Sequence, residues 1–445
     1  MGFQSQAGQV GFRAQSAKGT FADPGTSGVF ALLRSGAIGG NRDLLIPDAE
    51  IGGNRDVRDA YLGPVSFSGE YEFYGRPDII ATMLKGAFGS VSTGSTTDNA
   101  QTVYTHTFTP FDGDNEVQTV TITGTPIGGS FTLTFRGQTT AAIAYNASSA
   151  AVQSAFTALS TVGAGNATVS GGPLPGTAVT ITFSGALAKQ DVPAITATSS
   201  LTGGTSPTIT ISTSTGGGSS LPWYSIEEKI GSGFETFKYT DAKVNTFHME
   251  ADSNGYLMGR AGFVALTQQA GASATSNISG LQDTKSMFVG SNITVAWNGT
   301  NLPAKSFSLD VNNNMETDDF RLGSLFLGDI TEKRREVMMN VTIRPDDSSL
   351  WRSAMYGSST ATTPGGTVLK DDVAITISSY EKIGTALTNT YQVTFAIPTA
   401  AIKPFQVSPS GDDVIQHDLE IQALRPSAGT SIITATVKTD KATVS

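Results

Sequence analysis

The stretch RPDIIATMLKGAFG, starting at Arg76, returns in outline at Arg344 as RPDDSSLWRSAMYG, 268 positions later. A phrase repeated at a fixed offset means a supersecondary unit built twice, so the fold must contain two similar parts. The defining residues are Arg76, Pro77, Asp78, Phe88 and Gly89 in the first copy and Arg344, Pro345, Asp346, Tyr356 and Gly357 in the second. The match extends upstream. Tyr71 and Phe73 alternate with polar residues in SGEYEFYG, and Met339 and Val341 keep the same phase in REVMMNVTIR, the pattern of a half-buried strand. Pro and Asp then suit the first turn of a helix, where Pro loses no hydrogen bond and Asp faces the positive end of the dipole. Met83, Ala87 and Phe88 form an apolar stripe on that helix, matched by Trp351, Met355 and Tyr356. Gly89 and Gly357 stand where a helix closes in the left-handed conformation. Loops rich in Ser, Thr and Gly (SVSTGSTTDNA and SSTATTPGGT) and alternating strands (TVYTHTFTP and DVAITISSY) follow in both copies.

The offset then changes. EKIG occurs at Glu228 and Glu381, only 153 apart, so the first copy holds 115 extra residues between about Phe111 and Ser225. This stretch is rich in Gly, Ser, Thr and Ala and almost uncharged, and it reads as a small α/β domain dropped into a loop. VQTVTITG and GSFTLTFRG predict a hairpin, and NASSAAVQSAFTALSTVGAGN predicts a helix opened by Asn146 or Ser148 with Val152, Phe156 and Leu159 on one face. NATVSG, TAVTITFSG and PTITISTS predict strands, and STSTGGGSS a flexible exit linker. Downstream, KVNTFHMEADSNGYLMGRAGFVAL predicts a hairpin about its Ser-Asn-Gly turn, and DVIQHDLEIQALRPSAGTSIITATVK two strands around a Pro/Gly connection. IGGNRD, at Ile38 and again at Ile51, is a short echo in the opening loop of the first copy.

Composition narrows the chemistry. A chain of 445 residues fits two or three domains, and 15% charged residues with abundant Gly point to a mainly β protein. With no Cys there are no disulfides and no thiolate chemistry, as expected of a chain made in a reducing cytosol. The N-terminus has no apolar segment like that of a signal peptide, and no apolar run is long enough to span a bilayer. The Asn-x-Ser/Thr triplets at Asn146 and Asn292 are therefore read as chance. A net charge of -10 argues against a sequence-reading DNA binder, which needs a basic stripe. It suits a surface past which DNA must slide.

Catalytic residues are not expected. His106, His248 and His417, the three histidines, fall in separate predicted strands and read as polar strand residues. No Gly-x-Ser-x-Gly elbow occurs, and no lysine follows a glycine, which removes the phosphate-binding loop. Asp310, Asn312, Asn314 and Glu316 have the early spacing of a calcium loop, but Met315 stands where that loop needs Gly and Arg321 where it needs a bidentate Glu. The pairs Asp346/Asp347 and Asp371/Asp372 sit beside predicted turns or a helix start, where capping explains them. No cofactor or metal is expected.

From YLGPVSFSGEYEFYGRPDIIATMLKGAFG onward the arrangement resembles the tail tube proteins (major tail proteins) of phages with long non-contractile tails. The resemblance spans both copies and leaves out the insertion. Its implications are two tandem β-sandwich units, each with one short helix, and a structural, non-enzymatic role in the virion tail. Subunits would form stacked rings around a lumen that conducts DNA without binding it specifically, alongside tape measure, tail terminator and tail-tip proteins. A ring of six wedges is met by three duplicated chains, a pseudo-sixfold trimer, or by a true hexamer. The expected units are 1–112, continued at 221–270, for the first copy, 113–220 for the insertion on the tube exterior, and 271–445 for the second copy. The aperiodic N-terminal segment suits an arm that orders on ring stacking. The alternative class is a β-rich adhesin or carbohydrate-binding protein.

Overall fold

Hydrophobic residues gather in one large core and a small satellite cluster within residues 1–110 and 221–445, and in a separate core within residues 111–220, the two units of the chain. The computed structural model describes residues 8–48, 59–111, 113–189, 192–215, 217, 221–229, 235–271, 283–407, 415–426 and 431–445.

The larger unit begins with β1 (Gln9–Ala14), the single turn α1 (Pro24–Ser27), β2 (Val29–Ala31), β3 (Leu33–Leu45), β4 (Tyr61–Tyr74), α2 (Pro77–Phe88), β5 (Gly89–Asp98) and β6 (Gln101–Pro110). The smaller unit contains β7 (Val117–Thr123), β8 (Gly128–Phe135), β9 (Gln138–Thr139), β10 (Ile143–Ala144), α3 (Ser149–Thr157), β11 (Ala167–Gly171), β12 (Val179–Phe183), β13 (Thr196–Thr202) and β14 (Thr208–Thr215). The chain re-enters the larger unit with β15 (Tyr224–Lys229), β16 (Thr236–Asp252) and β17 (Met258–Gln269). It finishes with β18 (Ile293–Trp297), β19 (Thr300–Asn301), β20 (Ala304–Asn312), β21 (Glu336–Ile343), α4 (Ser349–Tyr356), β22 (Asp371–Lys382), β23 (Thr390–Ile402), β24 (His417–Ala423) and β25 (Thr434–Thr439).

Strand pairing makes the duplication visible. One path of strands pairs in the order β3–β4–β17–β16–β15–β1, all antiparallel, and carries Tyr71 and Glu228, landmarks of the first copy in the sequence repeat. The second pairs as β20–β21–β24–β23–β22–β18, also antiparallel. β24 and β25 divide between them the place that β17 fills alone, with β25 beside the start of β23 and β24 beside its end. Alternation supplies the core: Tyr71 and Phe73 from β4 and Met339 and Val341 from β21 are all buried.

The elements after the two strands differ. α2 opens with Pro77 at its first position and closes at Gly89, whose φ of 87° a side chain would strain. α4 starts only at Ser349, so Pro345 and Asp346 precede the helix instead of opening it. The reason is local. The Asp347 carboxylate accepts from the Ser349 N–H at 2.8 Å, and such side-chain acceptors offer the backbone a turn in competition with a helix. A second correction concerns SVSTGSTTDNA, expected as a loop. It forms β5, which pairs along its whole length with β6. Asn99 and Ala100, at φ 50° and 64°, make the two-residue turn whose twist suits a hairpin. Of the N-terminal segment expected as an arm, Gln9–Ala14 forms β1, which lies between β15 and β2 with Phe12 fully buried, and residues 1–7 lie outside the described residues. Of the IGGNRD echoes, the first lies in β3 and the second is outside the described residues.

In the smaller unit, β7 and β8 do not pair with each other. β7 lies between β12 and β14, while β8 pairs with β13, β10 and β9 in a second sheet. Both strands have one apolar face, and placing them on opposite sheets lets Val120 and Ile122 share a core with Phe131, Leu133 and Phe135. α3 starts at the Ser148 cap and buries Val152 and Phe156, and Phe135, Phe156 and Phe183 meet at centroid distances of 5.3–6.0 Å. The linker STSTGGGSS overlaps the end of β14, and its residues 216 and 218–220 are outside the described residues.

Candidate assembly surfaces

The two copies meet through backbone. β16, after leaving β15, pairs over Thr246–Asp252 with β20 of the second copy, running antiparallel from Asn312 to Ser306. His248 reaches across this seam, its Nδ1 lying 2.6 Å from Asp310; on its own side its Nε2 lies 3.3 Å from Glu250, and Arg260 of β17 stands 3.7 Å from both Glu250 and Glu70. Burial alone would lower the His248 pKa, but the bond and charge of Asp310 outweigh it and raise it. A second seam joins β6 to β25. At its end Asp98 clasps the second copy, accepting from the backbone of Leu387, Thr388 and Asn389 and from the side chains of Thr388 and Asn389. These bonds hold its pKa below the usual carboxylate range.

The third joint is a lock on α2. Asp283 accepts the N–H groups of Asp78 (2.9 Å) and Ile79 (3.3 Å), satisfying donors at the helix start. The Asp78 carboxylate does not fill this capping role. It binds the Lys285 ammonium and accepts from Thr439 Oγ1 at 3.0 Å, while Lys285 also reaches Asp440 at 3.0 Å. Burial, helped by the Asp78 charge, raises the Asp283 carboxyl. Burial alone would lower Lys285, but Asp78 keeps its ammonium above the ordinary value. Arg76 Nε donates to the Lys285 carbonyl at 3.0 Å. Asp283 and Lys285 were not legible as functional residues, because in GLQDTKSM nothing announces a helix 200 positions away.

The other repeat residues separate by copy. Phe88 is fully buried, whereas Tyr356 is half-buried against Trp351, with ring centroids 5.2 Å apart. Arg344 and Asp346 are exposed, Pro345 half-exposed, and Gly357 closes α4 at φ 78°. His106 bonds Thr93 and the Lys441 carbonyl, and His417 packs 5.0 Å from Phe405, so the histidines do not converge. Nor does the calcium-like run: Asp310 binds His248, Asn312 accepts from the Asn314 N–H, Asn314 donates to the Arg334 carbonyl, and Glu316 pairs with Lys333. Among the described residues no group of three or more acidic or His side chains is placed to hold a metal. Asp346, Asp347 and Asp372 are exposed and Asp371 half-exposed.

A buried carboxyl ties β15 to β3. Glu228 accepts from the Tyr71 hydroxyl and, at 3.0 Å, from the Ile38 N–H, while Tyr239 donates to the Ile38 carbonyl at 2.7 Å. Burial raises the Glu228 pKa, and a protonated carboxyl can donate its own hydrogen to Tyr239, 3.3 Å away. Because the folded pKa lies above the unfolded one, this group's contribution is complete below the ordinary carboxylate range and is lost as pH rises through the folded value. Glu228→Gln, which keeps one acceptor and one donor, is expected to unfold at higher urea than the unsubstituted chain at about pH 8 and at nearly the same urea at about pH 4. Denaturation curves at the two pH values check this.

Outside the joints, the β3–β4 ribbon exposes Leu44, Leu45, Ile46, Tyr61 and Leu62. Leu44 pairs with Leu62 and Leu45 with Tyr61 across the ribbon, so both faces of this apolar arm carry exposed side chains. The sequence model of the phage tail tube protein family matches the chain twice, over residues 5–216 and 213–423. The chain belongs to the phage tail tube protein family. It is a duplicated tail tube protein, a structural component of the virion tail and of a family whose members self-polymerise. The two matched stretches meet just before β15, whereas β15–β17 pair with β1 and β4 as well as with β20. A search of curated proteins finds no match to the chain.

Proposed function

We propose that this tail tube protein forms stacked rings of three chains, each chain giving two wedges of a pseudo-sixfold wall around the channel for DNA ejection. The observation that carries this reading is the double use of one pairing path, with the two copies joined by continuous β pairing from β16 to β20. A wedge joined covalently to its neighbour loses less freedom on assembly, so duplication lowers the cost of closing the ring. The protein has no enzymatic role. Its net charge of -10 lets DNA pass without specific binding. Residues 111–220, with a core of their own, are carried on the exterior, and the apolar β3–β4 arm suits contacts between rings. Tape measure, terminator and tail-tip proteins are the expected partners, and the chain is made in the host cytoplasm.

A tag placed in the exposed turn at Gly163–Gly165 tests this on virions. Gold-labelled antibody is expected along the whole tail shaft. Label confined to the capsid or the tail tip would overturn the proposal.

A further inference from the structure

The same helix is covered in one copy and only partly covered in the other. Eleven of the twelve residues of α2 are buried, and the cover comes partly from the second copy: β25 packs on the helix, Thr439 and Lys285 hold Asp78, and the Val444 carbonyl accepts from Lys85 Nζ at 2.8 Å. In α4 only Ser353 is buried. Met355 is exposed, Trp351 and Tyr356 are half-exposed, and β23 is the main element packed against the helix.

The strand beside α4 is bare in a matching place. Ala261 of β17 and Ile421 of β24 face Tyr71 and Met339, which are equivalent in the repeat. Ala261 also faces Phe247 in β16, and Ile421 faces Ile402 in β23. Ile402 therefore stands where Phe247 stands, and by the same count Lys403–Val407, which follow the end of β23 without strand pairing, correspond to His248–Asp252, the stretch that β20 pairs with in the first copy. The Lys403 N–H points towards β24, donating to the Glu420 carbonyl at 2.8 Å, and among the described residues no strand pairs with the opposite edge. The counterpart of β20 is β3, which pairs with β4 on one side and, among the described residues, with no strand on the other.

We infer that the outer face of α4, with the adjoining edge at Lys403–Val407, is a docking surface for the first copy of a second chain, which presents β3. The junction inside the chain is the template. There a helix and a strand end of one copy hold the next copy, and the second copy offers the same two elements uncovered. Trp, Tyr and Met, the residues on this face, are those that interfaces favour at their centres. A smaller contact within the chain explains why α4 is shorter and more polar than α2, since it must stay soluble before assembly. The inference rests on the ring reading, but the two can fail separately.

The chain has no Cys, so a single introduced thiol reports on one place. Met355→Cys is expected to react freely with a maleimide in the unassembled chain and about tenfold or more slowly in tails, as a desolvated interface requires. Ile127→Cys, on the smaller unit, is expected to react equally in both. Met355→Glu is expected to leave the unfolding midpoint unchanged and to abolish ring formation. Rings from Met355→Glu, together with unslowed labelling of Met355→Cys in tails, would overturn the docking surface while the ring reading stands. Failure of the unsubstituted chain to appear in tail rings would remove both.

Discussion

Lys285→Met is expected to cost about 3–5 kcal/mol of stability, the range for removing one partner of a buried ion pair. Lys285 neutralises Asp78 and Asp440 while Asp283 sits close by, capping α2. Without the ammonium, Asp78 and Asp283 repel one another in a place where water reaches neither well. The loss should be smaller at about pH 5 than at about pH 8, because a neutral Asp283 no longer opposes Asp78. Because Asp283 and Lys285 lie in the segment that leads into the second copy, the substitution should also loosen the copies from each other. Denaturation of the variant at the two pH values checks the sign, and exchange of the α2 amides checks the place.

Phe88→Ala is expected to destabilise by about 3–5 kcal/mol, as truncation of a fully buried aromatic does. Tyr356→Ala, a truncation at the equivalent position, is expected to cost about 1 kcal/mol or less in the unassembled chain, since that side chain is partly exposed. The contrast is the useful part. Two residues that match in sequence differ in energy because only one of them is fully buried. Equal losses would mean that α4 is buried in the free chain, contrary to the exposure of Met355. In assembled tails Tyr356→Ala should cost more than it does in the free chain.

Much of the fold was legible from period and punctuation. Tyr71 and Phe73, Met339 and Val341 alternate, and both pairs lie in strands; Gly89 and Gly357 end helices at positive φ. The Ser-Asn-Gly turn between β16 and β17 and the split of β24 from β25 by a Pro/Gly connection were equally plain. What failed depended on partners outside the segment being read. β5 is made almost wholly of Gly, Ser and Thr, and it is a strand because β6 pairs with it, not because of its own propensity. β7 and β8 look like a hairpin from their spacing, yet each has a better apolar partner in the facing sheet. The surfaces that join the copies were the least legible. Asp98, Asp283 and Lys285 are ordinary surface residues in sequence and become joints only when chain positions some 200 to 290 apart are brought together.

The duplication predicts the number of chains in each ring. End-on electron-microscopy averages of tails, resolved well enough to count features around the wall, measure it directly. Six similar wedges in the wall with three outer projections, one for each copy of residues 111–220, is the expected result. Six projections on the same wall would mean six chains to a ring and would contradict the account of why this protein carries its fold twice.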